Sequence, residues 1–286
     1  MIILDTPAAM RAWTDEQRSL GRRISLVPTM GALHAGHAAL VHAATECSDA
    51  VIVSIFVNPL QFNRVDDFEL YPRPIDADID TCTGLGVDVV YAPTAAAMYP
   101  SGFETHVEPG SLAEPMEGAG RPGHFRGVTT VVAKLFNATR PDVAVFGRKD
   151  FQQLAVITRM VTDLDLGIEI VGLDTVREPD GLAMSSRNRR LDADQRAAAV
   201  VLPRALAAAA DHHADGPDGM RRAALAIIDG EPLARLEYLE IVDPHTLGHP
   251  PRIDGDVVVL AAVWFGEVRL IDNRSVSRRA DEDGRG

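Results

Sequence analysis

The sequence predicts an α/β protein in which a doubly wound parallel sheet is followed by a smaller α+β domain. Three observations carry this. Short, continuous apolar runs alternate with helix-like segments as far as Leu173, the pattern of strands buried on both faces by helices. The unusual polar residues gather just after those runs, where sheets of this kind bind ligands. Beyond about residue 175 the pattern changes to two helical segments and three strand-like ones. The expected division is a nucleotide-binding domain over 1–175, a smaller C-terminal domain over 176–274, and a disordered tail over 275–286.

The elements follow in order. The opening MIILDTPAAMRAW reads as a first strand leading to a helix. It lacks the basic region and apolar stretch of a signal peptide, and no apolar run is long enough to cross a bilayer, so the expected location is the cytoplasm. Ile24 to Val27 reads as a buried strand, Gly36 to Cys47 as a helix, and Ala50 to Val57 as a second apolar strand. Val87 to Tyr91 is another strand. Val128 to Ala138 reads as a helix that leads into strand Val143 to Phe146. Phe151 to Leu164 is helical and Ile168 to Leu173 extended. In the second part, Ala193 to Ala214 reads as one Ala-rich helix and Met220 to Asp229 as another. Leu236 to Val242, Asp256 to Phe265 and Val268 to Asp272 read as strands.

Composition narrows the function. The chain of 286 residues is 46% apolar, enough for a substantial core. A formal net charge of −13 argues against nucleic acid or anionic membrane as a bulk partner. Any site for an anion must therefore gather its positive groups locally. Cys47 and Cys82 form no C-x-x-C pair and read as thiols of a reducing compartment.

Four segments carry chemistry. In Val27-Pro28-Thr29-Met30-Gly31-Ala32-Leu33-His34-Ala35-Gly36-His37, a strand ends, a Gly-containing loop turns and a helix opens. A helix N-terminus offers unpaired N–H groups and a partial positive charge, which suits phosphate. His34 and His37, three apart, share a face if the helix has begun by His34, and imidazoles there can donate to phosphate oxygens. A zinc pair is disfavoured, because no third ligand or HExxH is present. Neither a Walker loop nor GxGxxG occurs here.

After the second strand, Asn58 and Gln61 offer both donors and acceptors, suited to a small hydroxy acid; simple loop capping reads equally well. Gly147-Arg148-Lys149-Asp150 ends a strand and opens a helix. Lys149 suits a phosphate, Asp150 an N-cap or a ribose hydroxyl, and Gln153 can face the same cleft. The alternative is a solvated charge pair. Finally, Met184-Ser185-Ser186-Arg187-Asn188-Arg189-Arg190 has two hydroxyls and an Arg able to wrap a polyphosphate, or to serve as a basic hinge or a capping segment. Nothing beside Ser185 or Ser186 suggests a base that would make either a nucleophile.

Together, PTMGALHAGH, IFVNPLQFN, FGRKDFQQL and REPDGLAMSSRN, in that order, closely resemble the pantoate–β-alanine ligases (AMP-forming). YPRPIDAD and HFRGVTTVVAKLFN agree too. The resemblance implies a Rossmann-like, HxGH-type nucleotidylyl-transferase fold and a KMSKS-like loop at Met184 to Arg187. It implies ATP at Met30, Gly31, Ala32, Leu33, His34, Ala35, Gly36 and His37, at Gly147, Arg148, Lys149 and Asp150, at Val176, and at Met184, Ser185, Ser186 and Arg187. It places pantoate at Gln61 and Gln153 and β-alanine near Gln61, with His37 as the proton donor. Catalytic roles would fall to His34, His37, Lys149 and Arg187. Magnesium and a homodimer are also implied. The implied reaction joins pantoate to β-alanine through a pantoyl adenylate, giving pantothenate, AMP and pyrophosphate, in coenzyme A biosynthesis. One departure is Arg148, where the family block often has Glu. The acidic stretch Asp76 to Asp80 has a possible link to magnesium, but no metal ligand is assigned. Two rival readings remain: another adenylyltransferase sharing the HxGH turn, and a non-catalytic nucleotide-binding regulator.

Overall fold

The computed structural model describes residues 1–63 and 65–277. Contacts divide the chain into two compact units, Met1–Val176 and a second that begins at Arg177.

The first unit is built on six parallel strands: β1 (Ile2–Leu4), β2 (Ile24–Thr29), β3 (Ala50–Ile55), β4 (Val89–Tyr91), β5 (Val143–Gly147) and β6 (Glu169–Leu173). Their order is β1-β4-β3-β2-β5-β6. β3 is buried at every residue, as its unbroken AVIVSI run requires. Because successive strand residues face opposite sides, Leu26 and Ile52 enter one core while Val27, Val51 and Val53 enter another. Helices must cover both faces, and they do. Pro7–Ser19 is started by Pro7 and by the Thr6 hydroxyl, which accepts from Ala9 N at 3.2 Å. Helix His124–Thr139 packs Phe125, Val128, Val132, Leu135 and Phe136 into the core that holds Leu26.

This strand order decides where a site can form. From β2 the chain builds outward through β3 and β4, then returns to place β5 on β2's other side. The order reverses between β2 and β5, so a crevice opens outside their carboxyl ends. The residues that leave those ends are Met30–His34 and Arg148–Asp150.

The second unit has an antiparallel sheet of β7 (Ala234–Val242), β8 (Val257–Phe265) and β9 (Val268–Val276). Leu202, Leu206, Met220 and Ile228 from its helices pack against Val259, Val263 and Phe265.

Two expectations are corrected here. The Ala-rich segment forms two helices, Ala193–Ala198 and Val201–Asp211, and not one running to Ala214. Pro203 is the cause: a proline ring clashes with the carbonyl four residues back and fits only the first turn, so a new helix starts at Val201. The last strand runs past Asp272 to Val276, with Val257 paired to Val276. Ser275 and Val276 therefore belong to the sheet, not to a tail; residues 278–286 of the expected tail lie outside the described residues. Both cysteines are free thiols, Cys82 buried and Cys47 partly so. No helix among the described residues is long and apolar enough to cross a membrane.

Candidate active site

His34 is the N-cap of helix Ala35–Cys47, so the helix begins one residue after it. Its Nδ1 accepts from Gly36 N at 3.1 Å, and His37 Nδ1 accepts from His34 N at 3.3 Å, the reciprocal arrangement of a capping box. The ring centroids lie 4.1 Å apart. Each Nδ1 is thus an acceptor, which places the proton of each neutral ring on Nε2. Burial, the His34 ring and the Lys149 ammonium lower the His37 pKa to about 3. At neutral pH His37 is an uncharged N–H donor.

The unpaired backbone amides expected on this turn are largely used within it. Gly31 N donates to Thr29 Oγ1 at 3.1 Å. Ala32 N and Leu33 N donate to the Asp78 carboxylate at 2.8 and 2.7 Å. The turn is left-handed at Gly31 and Ala32, with φ of +81° and +52°. Gly31 is also required by space, since a Cβ there would lie 2.8 Å from Asp78 Oδ2. The donors this turn offers an anion are therefore mainly imidazoles.

Beside it, Arg148–Asp150 forms a 3₁₀ turn that continues into helix Phe151–Asp163. Lys149 is mostly buried, lies 3.9 Å from Asp150, and its charge acts on His37. Asp150 occupies the N-cap position, but its side chain makes no cap bond. Arg148 turns to β6: its Nε donates to Gly172 O at 3.1 Å and lies 3.6 Å from Asp174. Gln153 is half-buried and its amide makes no hydrogen bond among the described residues, whereas the adjacent Gln152 is fully occupied holding Leu112 O, Pro115 O and Glu117 N.

Gln61 is held from several sides. Its Oε1 accepts from Asn58 Nδ2 at 3.0 Å, and its Nε2 donates to Met30 Sδ at 3.1 Å. Asn58 is itself fixed by Tyr99, whose hydroxyl donates to Oδ1 at 2.7 Å, and by Gly127 O. The carbonyl of Gln61 accepts from Arg121 and meets His124 Nδ1 at 2.8 Å. Burial lowers His124 to about 4. Gly127 makes this packing possible, because a Cβ there would stand 2.3 Å from Leu60 O. Asn58 thus both caps its loop and orients Gln61, so its two readings from sequence are not exclusive.

In the second unit, Ser185 caps a 3₁₀ helix, Ser186–Arg190, by accepting from Arg187 N at 3.3 Å. The segment is anchored by Asn188, which donates to Glu178 at 2.7 Å and to Ala183 O at 3.1 Å. Glu178 is in turn paired with Arg196.

Asp78, Tyr99, Arg121 and His124 were not singled out as site residues from sequence. The stretches YPRPIDAD and HFRGVTTVVAKLFN contain Asp78 and His124, but spacing does not say which Asp turns inward. Asp78 is 2% exposed, while Asp76 and Asp80 face solvent. Among the described residues no three His, Cys, Asp or Glu side chains come together to hold a metal. Asp78 is turned to the backbone amides of Ala32 and Leu33.

A reversal point in a parallel sheet, with neutral imidazole donors on one side and a lysine on the other, defines a nucleotide-handling enzyme of the HxGH type. Comparisons with known proteins carry this further. Residues 2–275 match the family described as Pantoate-beta-alanine ligase. The chain is 50% identical to a pantothenate synthetase of Heliobacterium modesticaldum over 279 residues, covering 96% of this chain and 99% of that one. The pantothenate synthetase structure from Thermus thermophilus superposes with a TM-score of 0.93 at 43% identity, covering 97% of this chain and all of that one. A pantoate-beta-alanine ligase from Francisella tularensis, complexed with "Beta-gamma ATP" and β-alanine, superposes with a TM-score of 0.79 at 34% identity, covering 96% of this chain and 97% of that one. The chain belongs to the pantoate–β-alanine ligase family. It is an enzyme that condenses pantoate with β-alanine to pantothenate in an ATP-dependent reaction, through a pantoyl adenylate.

Proposed function

We propose that the crevice between the ends of β2 and β5 holds ATP for attack by pantoate, with His34, His37 and Lys149 stabilising charge on the phosphates. The observation that carries this reading is that β2 and β5, neighbours at the strand-order reversal, lead at their carboxyl ends into the His34–His37 turn and into Lys149. A carboxylate oxygen of pantoate attacks the α-phosphorus, the bond to the β-phosphate breaks, and pyrophosphate leaves. The β-alanine amine then attacks the acyl carbon and AMP departs. No enzyme nucleophile is needed, because positioning and charge stabilisation carry phosphoryl transfer of this kind.

His37, whose Nδ1 accepts from His34 N, offers Nε2–H to the phosphates, and its role as proton donor rests on the resemblance. Gln61, held by Asn58, and Gln153, whose amide makes no hydrogen bond among the described residues, bind pantoate; Gln61 also meets β-alanine. Met30 to His37 and Gly147 to Asp150 line the nucleotide. Val176, Met184, Ser185, Ser186 and Arg187 are assigned to the same ATP on the resemblance alone, with Arg187 at the phosphates. Magnesium accompanying the nucleotide and a homodimer rest on the same footing, and a cytoplasmic location rests on the sequence pattern.

Product analysis tests the reading. AMP and pantothenate should appear in equal amounts, whereas a nucleotide adenylyltransferase would retain the adenylyl group in its product. A regulator would bind ATP and release neither. Gln153→Ala should raise KM for pantoate about tenfold and leave KM for ATP unchanged, since one amide contact is lost; an unchanged pantoate KM removes Gln153 from the site.

A further inference from the structure

Asp78 is 2% exposed and makes no ion pair among the described residues, yet it sends both carboxylate oxygens to consecutive backbone amides of the His34 turn. Those amides belong to Ala32 and Leu33. Ala32 is a non-glycine residue at φ +52°, a conformation that costs L-residues energy and persists only where its surroundings over-determine it. Two short charge-assisted bonds from one rigid group supply that constraint. The turn they fix leads directly into His34, whose own amide holds His37. Gly31 leaves the space for the carboxylate to approach.

We propose that Asp78 is a positioning residue for adenylate formation: it clamps the left-handed turn and thereby sets where His34 and His37 present Nε2–H. The same clamp withdraws the Ala32 and Leu33 amides from phosphate. The nucleotide then meets imidazole donors here rather than a cradle of backbone N–H groups. This rests on the assignment of the histidines to the first half-reaction.

Asp78→Asn tests it. An amide keeps one acceptor, but its NH2 group faces the other backbone N–H, so one bond is lost and a donor meets a donor. Pantoate-dependent pyrophosphate–ATP exchange should fall 10- to 100-fold, mainly in kcat, the scale expected when reacting groups are displaced by about an ångström. Attack of β-alanine on preformed pantoyl adenylate should stay within about threefold of the parent. Nitrogen NMR of histidine-labelled protein should show Nδ1–H tautomer appearing at His37. Exchange within threefold of the parent, or an equal fall in both half-reactions, overturns the proposal. If the variant does not fold, amide hydrogen exchange in the parent protein decides. Ala32 and Leu33 amides protected without ATP, and unshifted on adding it, support the clamp; rapid exchange or a large ATP-induced shift contradicts it. Should His37→Ala itself leave exchange intact, the functional reading fails and not the clamp alone.

Discussion

The turns that follow β2 and β5 leave the same edge of one sheet and flank the same crevice, but they are held in different ways. In the first, nearly every polar atom is committed. Thr29 and Asp78 take the turn's amides, His34 takes that of Gly36, and His37 takes that of His34. The side chains this turn places at the crevice are two imidazoles whose Nδ1 atoms both accept from backbone N–H groups. In the second turn the cap position is occupied by Asp150 without a cap bond, and the group we propose to meet the phosphates is a lysine on a four-carbon stem. One side supplies fixed geometry and the other supplies full charge. A pentavalent phosphorus that gains negative charge in flight needs both: donors that do not have to reorganise, and a cation that can follow the charge.

Variants can break this comparison or sharpen it. The largest effect is expected at Lys149. Lys149→Ala removes the β5-turn cation whose charge acts on His37, and pyrophosphate exchange should fall by about 10³, with attack on preformed adenylate little changed. His37→Ala removes one neutral donor and should cost about 10² in the same half-reaction. A reversed order, with the histidine dominant, would mean that orientation outweighs charge.

Acid stability sharpens the contrast next. His37 and His124 have folded-state pKa values near 3 and 4, below the ordinary 6.5. Between those limits the unfolded chain binds protons that the folded chain refuses, so stability is full above pH 6.5 and is lost as pH falls toward 3. The urea midpoint should drop from pH 7 to pH 4, and the drop should shrink in a His124→Gln variant that folds. Turnover, by contrast, should show no break near pH 6.5 that His37→Ala abolishes. The smallest effect belongs to Arg148→Ala. This side chain reaches Gly172 O and Asp174 rather than the crevice, so exchange should change by less than about threefold.

The same contrast explains what could be read from the sequence. β3 and the turn after β2 were legible because apolar runs and Gly-His spacing are local signals. That Lys149 and Gln153 follow a strand end was legible, and their part in the reaction is proposed. Asp78 was not, since its role depends on which of three nearby acids the helix Ile75–Gly84 turns inward, and that is settled by packing against Gly31. Arg148 read as a neighbour of Lys149 in sequence, but the backbone sends the two side chains apart. The use of the turn's amides was also invisible, because a helix N-terminus looks unpaired until its tertiary partner is known. The break at Val201 had a local cause, Pro203, masked by the Ala-rich sequence around it.

The central claim is that the crevice beside His37 and Lys149 activates pantoate before β-alanine takes part. The most direct measurement is exchange of labelled pyrophosphate into ATP with pantoate present and β-alanine absent. The account predicts exchange at a rate at least equal to overall turnover, lost in Lys149→Ala and His37→Ala while both remain folded. Absence of exchange in folded protein that still makes pantothenate would contradict it.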